Sequence, residues 1–153
     1  MLILKGNVIH LAEAGVFDVL VHGCNCKNIM GAGVARQIKE VFPAAYLADR
    51  KYSTKSRDML GTYSSAVVPL VGMLGRTVTI VNAYTQFAPG GGEDVFEYVA
   101  FAAVLERLHE AFPDKIIGMP AIGCGLAGGD KERILNIIRN SSVCDKVVFV
   151  EFG

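Results

Sequence analysis

Apolar residues in this chain gather in short runs, and the runs alternate with segments of helical period. Six runs read as strands: 2–5 (LILK), 17–23 (FDVLVHG), 62–70 (TYSSAVVPL), 76–84 (RTVTIVNAY), 115–120 (KIIGMP) and 146–152 (KVVFVEF). Several are continuously apolar, as strands covered on both faces require. VGMLG at 71–75 predicts a tight connection between the third and fourth runs. Helical period appears four times. Over 32–42 it puts Val34, Ile38, Val41 and Phe42 on one side, and Pro43 ends it. A more polar helix follows over 44–55. The strongest period runs over 93–112, where Phe101, Leu105, Leu108 and Phe112 recur and Pro113 closes the segment. The last covers 130–140, with Ile134, Leu135, Ile137 and Ile138 inward. Strands alternating with helices predict an α/β fold, a three-layer α/β/α sandwich on a mixed, mostly parallel six-stranded sheet.

With 153 residues the chain is expected to form a single domain over 1–153. Fifteen basic residues balance fifteen acidic ones, so net charge offers no argument for nucleic acid or an anionic membrane. No apolar run is long enough to span a bilayer, and the opening MLILKGNVIH has neither the apolar core nor the cleavage site of a signal peptide. The expectation is a cytoplasmic protein whose cysteines, Cys24, Cys26, Cys124 and Cys144, are free thiols.

The 17 glycines change the picture because they cluster after strands, at 31–33, 90–92 and 123–129. Ligands of open α/β sheets bind beyond the carboxyl ends of strands, so the three clusters are expected on one rim. The stretch HGCNCKNIMGAGVARQ, at 22–37, permits several chemistries. His22, Cys24 and Cys26 alternate, and with Cys124 they offer four metal ligands, but the paired C-x-x-C knuckles of structural zinc are absent; no metal is expected. A thiol nucleophile at Cys24 or Cys26 would need activation by His22 or by the following helix. A dinucleotide loop fits poorly: GAGVAR lacks the third glycine, and a G-K-[ST] phosphate loop is missing. What remains is a lysine-free phosphate cradle. Gly31 and Gly33 open a helix, whose free amides and positive dipole end suit an anion. GCGLAGGD, at 123–130, repeats the design before the last helix; the alternative is two turns that merely reverse the chain.

Four segments in this order, KGN (5–7), HGCNCKNIMGAGVARQIKEVFP (22–43), VNAYTQ (81–86) and MPAIGCGLAGGD (119–130), resemble the macrodomain family, the α/β/α module that binds ADP-ribose. The resemblance covers essentially the whole chain. Within the family it is similar to small ADP-ribose 1″-phosphate phosphatases of the yeast type and to relatives that remove ADP-ribose from proteins. It implies ADP-ribose or ADP-ribose 1″-phosphate as ligand, ADP-ribosylated macromolecules as further partners, hydrolysis without a cofactor, and particular site residues. Adenine would lie by Asn7 and the Val8 amide; Asn7 stands where most members have Asp. The diphosphate would lie between Gly31, Ala32, Gly33 and Val34 on one side and Gly123, Cys124, Gly125 and Leu126 on the other. Asn25 would face the distal ribose, and Tyr84, or Phe87 beyond it, would pack on a ribose or adenine. His22 would act as general acid or base, with a buried orienting role as the alternative, and Asp130 would orient water or simply cap the last helix. The chain departs from the members that release ADP-ribose from glutamate: VNAYTQF holds no lysine, and Ala127 follows Leu126.

Overall fold

The computed structural model describes residues 1–89, 96–123 and 128–153. In chain order the elements are β1 (Leu2–Lys5), α1 (Val8–Glu13), β2 (Val19–Asn25), α2 (Gly33–Val41), α3 (Pro43–Tyr52), β3 (Tyr63–Pro69), β4 (Thr77–Gln86), α4 (Tyr98–Ala111), β5 (Ile117–Pro120), α5 (Lys131–Arg139) and β6 (Val147–Glu151). The strands form one sheet in the order β1-β6-β5-β2-β4-β3. All pairings are parallel except that of β3 with β4, which the 71–75 turn joins as a hairpin. The expected mixed, mostly parallel sheet is therefore present.

Alternation along the buried strands divides the core into two layers. Val19, Val21, Val81 and Ala83 face α4 and α5, where Phe101, Leu105, Leu108, Ile134 and Ile138 are fully buried. Leu20, Val78 and Ile80 face the other side, against Ile9, Ile38 and Ala45 of α1, α2 and α3. Val41 departs from its expected inward place and is 41% exposed, because the contact surface of α2 centres on Ile38. Helix α1 was not anticipated: at six residues it shows too little period to read. Asn7 caps it, its Oδ1 accepting from the Ile9 and His10 amides at 3.0 and 3.2 Å. Close packing leaves Gly118 no alternative: a Cβ there would lie 2.4 Å from the Phe17 ring.

Candidate functional site

The carboxyl ends of β2, β4 and β5 open into a cavity of about 450 Å³. Its walls come from the loop after β2, the start of α2, the end of β4 and the turn after β5. Gly31, Ala32, Gly33 and Val34 line one side, and Gly123 with Ala121 and Ile122 the other. The first glycine cluster and Gly123 of the last thus share one rim. Residues 90–92, the middle cluster, and Cys124, Gly125 and Leu126 lie outside the described residues. The described lining includes no lysine, arginine or carboxylate.

Local sequence explains how the α2 wall opens. Gly33 has φ +58°, a conformation that favours glycine, and a Cβ there would meet nothing within 4 Å. Ala32, the cap residue, makes no side-chain cap hydrogen bond. The first-turn amides of α2 are therefore not satisfied by a cap, and they carry the positive end of the helix dipole. Gly123, at φ +76°, turns the chain after β5; its carbonyl accepts from the Gly129 amide at 2.6 Å, which closes the mouth of that loop.

Asn25 lines the cavity, yet its side chain mostly organises its own loop. Oδ1 accepts from the Lys27 and Ile29 amides at 3.0 and 3.3 Å, and Nδ2 donates to the Ile29 carbonyl at 2.8 Å. An amide nitrogen has two protons, so one N–H of Asn25 has no bond within this loop motif.

His22 is 1% exposed and enters a buried polar chain. Asn82 Nδ2 donates to the Ala45 carbonyl at 2.9 Å, and a carbonyl only accepts. The amide orientation is thereby fixed, so Asn82 Oδ1 faces His22 Nε2 at 2.7 Å and Nε2 must carry the proton. Asn82 Nδ2 also donates to Ser64 Oγ at 3.0 Å, Ser64 bonds Tyr84 Oη at 2.8 Å, and Tyr84 donates to Asp49 Oδ1 at 2.7 Å. Burial lowers the His22 pKa to about 4, against the partial support of Asn82, so the ring is neutral at pH 7. Burial raises Asp49 in turn, with the Tyr84 hydrogen bond opposing.

Five other expected site residues among those described lie off the cavity lining. Tyr84 does not reach the cavity: it is fully buried, stacked on Tyr52 with ring centroids 5.5 Å apart, and its hydroxyl is spent on Asp49 and Ser64. Phe87 lies under two cations instead, Lys27 and Arg57, at 4.2 and 4.1 Å from its ring centre. Asp130 stands off the described lining as the exposed cap of α5, its Oδ1 accepting from the Arg133 amide at 3.2 Å. Asn7 and Val8 also fall outside that lining; Asn7 is engaged in capping α1, and Val8 is buried.

The thiols are poorly suited to attack. Burial, with Asp49 and Cys26 adding to it, raises Cys24 well above the ordinary thiol range; burial also pushes Cys26 up to about 11 against the pull of Arg57 and Lys27. Among the described residues no three His, Cys, Asp or Glu side chains gather as a metal site.

Several lining residues, among them Gly23, Thr85, Gln86 and Ile122, escaped the sequence reading. Thr85, near the end of β4, is 1% exposed, and its buried hydroxyl has no hydrogen-bond partner among the described residues. Its sequence context, a polar residue closing an apolar strand, gave no signal.

The family model of the Macro domain matches residues 21–138. An uncharacterised 17.5 kDa protein of the tk-vs intergenic region of Enterobacteria phage T4 is 34% identical over 157 residues, covering 97% of this chain and 94% of its own. A solved protein of unknown function from Bacteroides thetaiotaomicron superposes with a TM-score of 0.81 at 23% identity, covering 99% of this chain and 97% of that one. Thermosipho africanus DarTG, solved in complex with ADP-ribose, superposes with a TM-score of 0.73 at 16% identity, over 93% of this chain and 39% of that one.

Proposed function

This chain belongs to the macrodomain family, and from that premise we propose that its cavity binds ADP-ribose. The observation that carries the reading is the uncapped start of α2, opening with Gly31–Val34 onto a cavity whose described lining has no cationic side chain. Peptide N–H groups and the helix dipole are the means by which such a surface holds an anion. Gly123 on the facing wall brings a second stretch of backbone toward the same ligand. A diphosphate between the two walls satisfies both. The likeness to a fold solved with ADP-ribose supports that choice of anion.

Hydrolysis of ADP-ribose 1″-phosphate is the finer proposal. Its chemistry requires stabilisation of a phosphate and placement of a water, both within reach of oriented amides. His22 contributes as a neutral ring that orders the floor of the cavity, and Asp130 contributes by holding the start of α5. Turnover without a well-placed acid or base is expected to be slow, since proton transfer by a positioned side chain is worth ~10²–10⁴-fold.

The inward His22 and the capping Asp130 favour a second reading, a reader that holds ADP-ribose without processing it. Calorimetric titration with ADP-ribose, beside phosphate release from ADP-ribose 1″-phosphate in the presence of a chelator, separates the readings. Heat with phosphate release supports the hydrolase, and heat alone supports the reader. Absence of heat removes the proposed function.

A further inference from the structure

The overall balance of charge hides a segregation. Residues 27–58 hold seven basic and three acidic residues, and the rest of the chain holds eight basic and twelve acidic. Two of those three acids are engaged: Asp49 is buried at the Tyr84 hydroxyl, and Glu40 pairs with Arg36 at 3.2 Å.

The fold gathers this charge around aromatic rings. Phe87, Tyr46 and Tyr52 all border one small cluster, that of Cys24, Cys26, Met30, Met59 and Tyr84. Lys27 and Arg57 lie over Phe87, and Lys39 and Arg50 lie over Tyr46, at 4.3 and 5.9 Å from its ring centre. Ring contacts hold these cations in place, so less freedom is lost when they meet an anion. Tyr52 differs. One face of its ring is stacked on Tyr84, yet the residue is 42% exposed. Arg50 and Lys51 precede it and Lys55 follows, all three exposed. The stacking fixes the ring and leaves aromatic surface open among cations. Ser53 Oγ donates to the Cys26 carbonyl at 3.4 Å, which ties the end of α3 to the loop after β2. That loop supplies Asn25 and Ile29 to the cavity wall, whereas none of these cations or rings lines the cavity. The cationic face therefore lies beside the mouth.

We propose that this face binds a single-stranded nucleic acid. Its cations neutralise backbone phosphates and the open ring of Tyr52 stacks on a base, the two contacts by which proteins hold single strands without reading sequence. An acidic peptide would use the cations alone, and a duplex keeps its base faces hidden. The assignment is independent of what fills the cavity.

Fluorescence anisotropy tests it, with the full chain titrated into labelled oligothymidylate and oligouridylate about 20 nucleotides long. Both strands are expected to bind, and a rise in salt from 50 to 200 mM to weaken binding about 20–50-fold, as three or four phosphate contacts require. Tyr52→Leu, which keeps apolar packing on Tyr84, should weaken binding about tenfold, and Tyr52→Phe should stay within about twofold. Lys51→Glu with Lys55→Glu should weaken it about tenfold or more, whereas Arg107→Glu with Lys115→Glu, the same change of charge away from this face, should stay within about threefold. Melting temperatures show that each variant is folded; should Tyr52→Leu fail to fold, the two charge pairs decide. No binding by the wild type, or equal losses for the two charge pairs, overturns the assignment. So does displacement of the strand by oligoglutamate as readily as by unlabelled strand, or by saturating ADP-ribose, which would put the strand in the cavity. Calorimetry with ADP-ribose reports on the cavity separately, so either reading can fail alone.

Discussion

Acidification tests the placement of His22. Its pKa falls from the ordinary 6.5 to about 4 because the imidazole is buried against Asn82 and Cys24, where charge is poorly solvated. The unfolded chain takes up this proton first, so acid favours unfolding. The stabilisation is complete above pH 6.5, is lost as pH falls, and levels off below about pH 4. A depression of this size corresponds to about 3 kcal/mol, at ~1.4 kcal/mol per unit. That is a large share of a typical domain's stability of ~5–15 kcal/mol. Asp49 complicates the raw profile. Its raised pKa gives a contribution that is full at low pH and lost as pH rises through the folded value, which is the opposite slope. Comparison with His22→Gln removes that background, since the glutamine amide can still donate to Asn82 Oδ1 without titrating in this range. Urea unfolding of both proteins between pH 7.5 and 4 is the assay. The stability advantage of wild type over His22→Gln should shrink by about 3 kcal/mol across that interval. The His22 ring resonances should also keep neutral-form shifts down to pH 5. An advantage independent of pH, or a His22 midpoint at 6 or above, refutes the buried neutral assignment.

Other substitutions separate the scaffold from the cradle. Asp130→Ala should cost about 1 kcal/mol, read as a lower melting temperature, because the Arg133 amide loses its cap; ADP-ribose affinity should not change. Tyr84→Phe leaves both Asp49 oxygens unpaired in the core and should destabilise by about 1–3 kcal/mol in urea, again with binding intact. Gly118→Ala forces a methyl group into the Phe17 ring and should cost about 1–3 kcal/mol by the same measurement.

The strands, four of the helices and the meeting of Gly31–Gly33 with Gly123 were legible because each rests on a local signal. Apolar runs mark β2 and β4, Pro43 and Pro113 punctuate helices, and Gly31–Gly33 and Gly123 follow strands. The direction of His22 was not legible. Alternation places it on the same side as Leu20 and Cys24, but the register that sets it opposite Asn82 is a pairing between distant segments. The direction of Tyr84 was hidden for the same reason. Its hydroxyl turns away from the cavity because Asp49, on the distant helix α3, is there to receive it. Thr85, one position on, faces the opposite layer by the period of the strand.

The claim on which the account turns is that backbone amides hold the anion. Amide ¹H–¹⁵N spectra recorded during titration with ADP-ribose test it most directly. The account predicts the largest shifts at the amides of Gly33, Val34, Ala35 and Gly123, saturating together as one site fills. Shifts confined to lysine-bearing surfaces elsewhere, or a spectrum that saturating ligand leaves unchanged, would contradict it.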